Sequence, residues 1–288
     1  MSVVSNADNL DPVRFWNEIA VPKFQRFRHI LIHGLGAHGA VALARHSPSP
    51  GDRVLDIGCG WGDSSIEMAR LVGSSGAVLG VDCCQAFIDD GQAEARTAGL
   101  ENLRFVVADA QALPFEPEYD LCFSRFGTMF FSSPVRAMRH LRGALRPGGR
   151  LLMVVWRRLA ENDWVAIPKK VVERHLPPPP SDGKSCGPGP FSMGDPEMVC
   201  DILTASGFSD IRFEQVDLPI LIGEDVQRAI EFQLQIGPVG EIVREAKELG
   251  QQQRPQIERE LRSLLAAYKT DRGVVMPSSS WTVLARAG

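Results

Sequence analysis

Arg-Val-Leu-Asp-Ile-Gly-Cys-Gly-Trp-Gly, residues 53–62, decides how the chain folds. Val54, Leu55 and Ile57 read as a buried strand, with Asp56 as an acid at its carboxyl end. Gly58, Gly60 and Gly62, interleaved with Cys59 and Trp61, form a turn of low bulk, and a helical pattern starts at Asp63. A strand, a glycine turn and a helix cradle a nucleotide-like ligand, because glycine lets the backbone approach closely. Asp56 sharpens the reading. A phosphate on the helix N-terminus would be repelled by that acid, whereas a cationic amino-acid end would be attracted to it.

Outward from this turn, strand and helix patterns alternate. Strand-like runs cover 53–57, 77–81, 103–108, 119–124 and 149–156, with helical stretches at about 63–72, 85–98 and 133–145. This rhythm predicts a parallel sheet covered by helices on both faces. Upstream, residues 10–46 are helical in period until Pro48, Pro50 and Gly51. Beyond Trp156 the rhythm breaks. A helix over 159–175 precedes a Pro/Gly-rich stretch (177–180 and 183–190), expected to be a surface loop or cover. Asp195–Ser206 reads as a helix, Ile211–Leu218 as a strand, 224–268 as charged helix punctuated by Pro238 and Pro255, and Ser280–Ala285 as a last strand.

Two more acids sit at strand ends. Asp82 closes the second strand, at the distance from Gly60 expected of a carboxylate that receives ribose hydroxyls. Asp109, between Ala108 and Ala110, is placed to accept from an adenine amino group, or else to cap a helix. Three acids on the carboxyl rim of a parallel sheet lie where ligands bind. The loop after the fourth strand, Ser124-Arg125-Phe126-Gly127-Thr128-Met129-Phe130-Phe131, joins a cation to aromatics. Phe126, Met129, Phe130 and Phe131 read mostly as core packing. Arg125 needs a partner: a ligand carboxylate, an acidic substrate or a structural ion pair. Leu145–Arg150 is expected to be a tight turn into the fifth strand.

The 288 residues suffice for one large α/β domain with insertions. A net charge of −4 disfavours nucleic acid or an anionic membrane surface as the main partner. The first thirty residues are too charged for a signal peptide and no apolar run is long enough to span a bilayer, so a cytoplasmic protein without a membrane span is expected. The six cysteines are scattered and read as reduced thiols. Cys83 and Cys84 are adjacent, so their side chains are expected to point apart, and Cys186 and Cys200 do not complete a three-thiol site. His33 and His38 have no third ligand nearby, so no metal is expected.

Val54–Gly62, Val81-Asp82, Ala108-Asp109-Ala110, Tyr119–Phe126 and Leu145–Leu152, taken in order, resemble the class I S-adenosylmethionine-dependent methyltransferases over roughly residues 50–157. Ser124–Phe131, Val155-Trp156-Arg157 and Asn162-Asp163-Trp164 further resemble a small-molecule branch akin to the quinone-biosynthesis methyltransferases. The resemblance implies a Rossmann-like, doubly wound, seven-stranded, mostly parallel sheet whose last strand is antiparallel. Residues 1–49 would form a helical segment over the active site, and 50–288 the methyltransferase domain, with acceptor or lid insertions at about 158–208 and 219–278. S-adenosyl-L-methionine would be the cofactor. The resemblance assigns Asp56 and the loop Gly58, Cys59, Gly60, Trp61 and Gly62 to its methionine end. Asp82 and Cys83 go to the ribose, Ala108, Asp109 and Ala110 to the adenine, and Ser124 and Arg125 to the pocket floor.

The implied partner is a small-molecule methyl acceptor; a homodimer is compatible with this reading. Catalysis would rest on alignment and exclusion of water, because the sulfonium is already electrophilic. A general base is needed only for a protonated acceptor. His29, His33 and His38 rank ahead of His140 and His175, since helices before the first strand lie over this pocket in the family. Two rivals are a nicotinamide-dependent oxidoreductase, for which Asp56 and the missing second half-site are unfavourable, and a non-catalytic module presenting 224–268 to a partner.

Overall fold

The computed structural model describes residues 10–177 and 189–288, with side chains from Val13 onward. Cys186 and most of the Pro/Gly-rich stretch lie outside the described residues.

Seven strands form the sheet: β1 (Arg53–Ile57), β2 (Ala77–Asp82), β3 (Leu103–Val107), β4 (Tyr119–Arg125), β5 (Leu145–Trp156), β6 (Phe208–Gly223) and, after the two-residue β7 (Lys269–Thr270), β8 (Gly273–Ala287). Their order is β3-β2-β1-β4-β5-β8-β6, with β7 paired to β8. β1 to β5 are parallel to one another, and β8 runs antiparallel between β5 and β6. The α/β, doubly wound, mostly parallel sheet with an antiparallel last strand is thus as expected.

β1 lies between β2 and β4, so the chain leaves it in one direction and later returns on its other side. Right-handed crossovers then place the connecting helices on opposite faces. α3 (Arg28–His46) and α4 (Asp63–Val72) pack together on one face, and α6 (Pro134–Ala144) and α8 (Pro196–Ala205) pack together on the other. The crevice opens where the loops after β1 and β4 diverge.

Several boundaries differ from expectation. The N-terminal helical region is broken: α1 (Leu10–Phe15) passes through a π-helical turn at Trp16–Ala20 into α2 (Val21–Arg26), and Phe27 leaves helical geometry before α3. Residues 145–150 do not stand apart as a turn. β5 begins at Leu145, which pairs with Tyr119, and the register jumps so that Arg150 pairs with Leu121. The two C-terminal strands are far longer than 211–218 and 280–285, because their pairing continues from Phe208 with Ala287 to Gly223 with Val274. The intervening segment is α9 (Val226–Gln233), α10 (Gly237–Glu245) and α11 (Lys247–Ala266). Among the described residues no helix is long and apolar enough to cross a membrane.

One ring holds the glycine turn against its neighbours. Phe105 of β3 fills space left by Gly62, by Gly80 on β2 and by Gly91 on α5 (Gln85–Thr97), since a Cβ at any of the three would come within 3.3 Å of it. Phe105→Ala should therefore empty a site that backbone cannot refill and lower stability by about 3–5 kcal/mol. Urea denaturation checks this; a loss below about 1 kcal/mol would show that the ring is not a keystone.

Candidate functional site

The loops after β1 and β4 meet backbone to backbone. A Cβ on Gly58 would lie 3.0 Å from the Gly127 Cα, and one on Gly127 would lie 2.9 Å from the Ile57 carbonyl oxygen. Above this contact a cavity encloses about 1070 Å³ of empty space, part of it open to solvent. That is the scale of a small-molecule site.

One side of the cavity is the carboxyl rim: Gly58, Cys59, Gly60, Trp61, Asp82, Cys83, Ala108, Asp109, Ala110 and Arg125 all border it. Asp82 is anchored by backbone. Gly60 N–H donates to its Oδ2 at 2.9 Å and Cys84 N–H to its Oδ1 at 2.9 Å. Burial raises its pKa against these bonds and further hydrogen bonding from the Cys84 side chain and the Cys83 backbone. Each carboxylate oxygen keeps a free lone-pair direction, so two further donors from a diol can be accepted. Asp109 combines both expected roles: it accepts from the Gln111 N–H at 2.9 Å, bracing the turn, and it borders the cavity. At Gly60 the backbone is left-handed (φ +55°), and a Cβ there would meet no atom within 4 Å. The turn thus presents bare backbone to open space, which a ligand can approach and a side chain would fill.

The opposite side is apolar. Trp16 and Phe24 from the N-terminal helices, Leu31, Ile32 and Leu35 of α3, Phe87 of α5, and Phe126, Phe130 and Phe131 complete the wall. Trp16 meets Phe24 and Phe130 edge-on, each with centroids 5.0 Å apart. Sequence reasoning placed the N-terminal helices here without naming these residues. It read the phenylalanines after β4 mostly as core, and Phe126, Met129 and Phe131 are indeed buried in it, but Phe126, Phe130 and Phe131 also border the cavity. Spacing cannot distinguish an apolar residue facing a neighbouring helix from one facing a void.

Other candidates lie elsewhere. Asp56, Gly62 and Ser124 are not on the cavity wall. Asp56 is buried beneath the glycine turn and accepts from Ser65 Oγ at 2.5 Å. Burial pushes its pKa up to about 7. Ser124 Oγ donates to the Ile57 carbonyl at 2.8 Å and ties β4 to β1. Arg125 borders the cavity but has found a protein partner, the bidentate ion pair with Asp63 at 2.7 and 2.8 Å. Burial alone would raise the Asp63 pKa; the guanidinium more than offsets this and holds it below the usual range. Gly39 on α3 makes room, since a Cβ there would lie 2.6 Å from Arg125 Cδ.

None of His29, His33 and His38 borders the cavity. His29 pairs with Glu224 at 2.7 Å, and His33 is exposed. His38 is fully buried behind Phe126 and Trp156, whose rings stack at 4.1 Å. Its Nε2 lies 2.8 Å from Ser278 Oγ, and that hydroxyl donates to the Leu218 carbonyl at 2.7 Å. Ser278 must therefore accept from Nε2–H, and Ser280, 2.8 Å from Nδ1, must donate. Burial disfavours the charge that a second ring proton would bring, against a weak opposing pull from Asp217, and the pKa falls to about 4. The expected divergence of Cys83 and Cys84 does not occur: their sulfurs are 3.9 Å apart.

The methyltransferase domain profile matches residues 54–149. Over that stretch the chain is similar to methyltransferase domains. The ubiquinone/menaquinone biosynthesis C-methyltransferase UbiE of Azotobacter vinelandii is 40% identical over 106 residues, which is 36% of this chain and 42% of that protein. The aklanonic acid methyltransferase DauC of a Streptomyces species is 36% identical over 105 residues, 36% of this chain and 48% of that protein. The match thus spans less than half the length of these curated relatives. A solved putative methyltransferase from Bacillus halodurans superposes with a TM-score of 0.56 at 16% identity, covering 86% of this chain and 97% of that one, and shares the fold.

Because His38 takes its proton near pH 4 when folded and near 6.5 when unfolded, the protein loses stability as pH falls through that window, by roughly 3 kcal/mol in all. Asp56, protonated up to about 7 when folded, acts in the opposite sense across the whole of this window, so the histidine's loss is one contribution to the net profile and shows by difference. Comparing the wild type with His38→Gln isolates the histidine: the variant should lack this acid-side loss in urea unfolding series run at several pH values. Parallel pH profiles for the two proteins would remove the assignment.

Proposed function

We propose that the chain transfers the methyl group of S-adenosylmethionine to a planar, largely apolar small molecule. One observation carries the reading: one cavity faces the glycine turn after β1 and the acid-bearing ends of β2 and β3 on one side and an aromatic wall on the other. The residues fit the cofactor. Asp82 would take the ribose diol, with Cys83 beside it. Asp109, between Ala108 and Ala110, would take the adenine edge, and Gly58–Trp61 would receive the methionine end. Asp56 lies behind the glycine turn and would act on that end only through the turn, as a buried support. Arg125 is held by Asp63 in this reading and shapes the floor.

The bound cofactor supplies an electrophilic methyl group on a sulfonium. The chain's own part is to orient the acceptor between the rings of Trp16, Phe24, Phe87 and Phe130 and to exclude water. With no histidine on the wall among the described residues, the reading rests on alignment rather than on a histidine base. The relatives are named for ubiquinone/menaquinone biosynthesis and for aklanonic acid, and ring-based acceptors of that kind suit such a wall. The N-terminal helices and the loop after β4, which line the wall, would then set acceptor choice; among the described residues none of 158–208 or 219–278 borders the cavity.

S-adenosylhomocysteine should bind in calorimetric titration and NADH should not; tight binding of NADH alone would refute the proposal. Asp82→Ala should weaken S-adenosylhomocysteine by about 1–3 kcal/mol through lost diol bonds. Gly60→Val should weaken it further, because the side chain enters the open space over the turn. Transfer of labelled methyl to a panel of hydroxylated aromatic acceptors tests the second half of the proposal.

A further inference from the structure

The tripeptide Asp82-Cys83-Cys84 gathers three donor atoms at the end of β2, and nothing in methyl transfer uses the two thiols. All three ligand atoms lie within 4.8 Å of one another. The cause is local. In an extended strand successive side chains alternate, but the chain bends at Cys83, and Cys84, itself extended at φ −102° and ψ 110°, caps α5. The chain turns there, and the Cys84 N–H folds back onto Asp82 Oδ1 at 2.9 Å. The two sulfurs therefore converge to 3.9 Å. Two thiolates bound tetrahedrally to zinc at about 2.3 Å each stand about 3.8 Å apart, so the pair is already at the spacing a soft divalent ion requires. Cys83 borders the cavity, which gives an ion a way in, and Asp82 completes a three-donor set with one position open.

We infer that Asp82, Cys83 and Cys84 form a binding site for a soft divalent metal ion of the zinc and cadmium class. Occupancy of that site and occupancy of the cavity by the methyl donor exclude one another. The exclusion rests on the proposed ribose role of Asp82: its carboxylate cannot ligate the ion and receive a diol at once. On binding, the ion forms two metal–sulfur bonds and one metal–oxygen bond, and the two thiol protons leave to solvent. The ion takes no part in methyl transfer and acts as an inhibitor at the ribose end.

Cadmium chloride titrated into the reduced full-length protein should produce the ultraviolet thiolate-to-cadmium charge-transfer band with one equivalent bound. Cys84→Ser should lose the band and Cys200→Ser should keep it. Saturating cadmium should weaken S-adenosylhomocysteine about tenfold or more, and saturating S-adenosylhomocysteine should weaken cadmium by the same factor, as linkage demands. A band of full strength in Cys84→Ser would overturn the site. An unchanged cadmium titration of the wild type under saturating S-adenosylhomocysteine would overturn the exclusion, whatever the behaviour of the variants. The charge-transfer band is read without any cofactor, so failure of S-adenosylhomocysteine to bind would count against the functional reading and leave the metal site to be judged on its own.

Discussion

Everything in this molecule depends on how closely two stretches of backbone can approach. The loops that leave β1 and β4 touch at Gly58 and Gly127, with no side chain between them. This contact sets the floor of the crevice at the reversal of strand order. With a Cβ at either position the loops would have to part, and the rim acids would shift with them. Ser124 reinforces the same seam through its bond to the Ile57 carbonyl. The strain that accompanies such closeness is visible next door, where Phe126 holds a left-handed backbone (φ 58°) while its ring stacks on Trp156.

Three acids in similar sequence positions end in three electrostatic situations. Asp56 is sealed under the turn, where burial outweighs the bond from Ser65 and the pull of Arg125. Asp82 sits at the cavity edge, where two backbone N–H groups hold it in place. Asp109 divides its bonding between a turn and the open space. Depth relative to the loop backbone separates them, and one or two residues of chain decide that depth.

The parallel core was legible because each of its constraints is local: buried strands, glycine turns and strand-end acids follow one another within short windows. Asp82 and Asp109 were found for that reason. What was hidden is the product of distant pairing. The long antiparallel ladder of β6 and β8 could not be sized from its two short alternating patches, since Pro219 and Pro277 sit opposite one another within it and weaken any strand signal. The histidines misled because a helix over a pocket has two faces, and His38 turns to the serines of β8 on the side away from the cavity. The converging thiols of Cys83 and Cys84 were missed because the pair was read as an extended chain, when the backbone bends at Cys83 before α5 starts at Gln85.

The N-terminal cover is held unevenly. α3 is fixed deep in the fold by His38 and the serines, and by glycines that let it lie against Arg125 and β6. The stretch ahead of Phe27 touches the core mainly through apolar rings, an ion pair between Arg26 and Glu231 and one bond from Asn17 to the Cys83 carbonyl. Those two parts meet at a single non-helical residue. The front part can therefore be rewritten, by evolution or by a designer grafting it from a relative, without disturbing the seam that positions the rim. Under the proposed function, acceptor fit and the geometry of the rim would then answer to different stretches of chain.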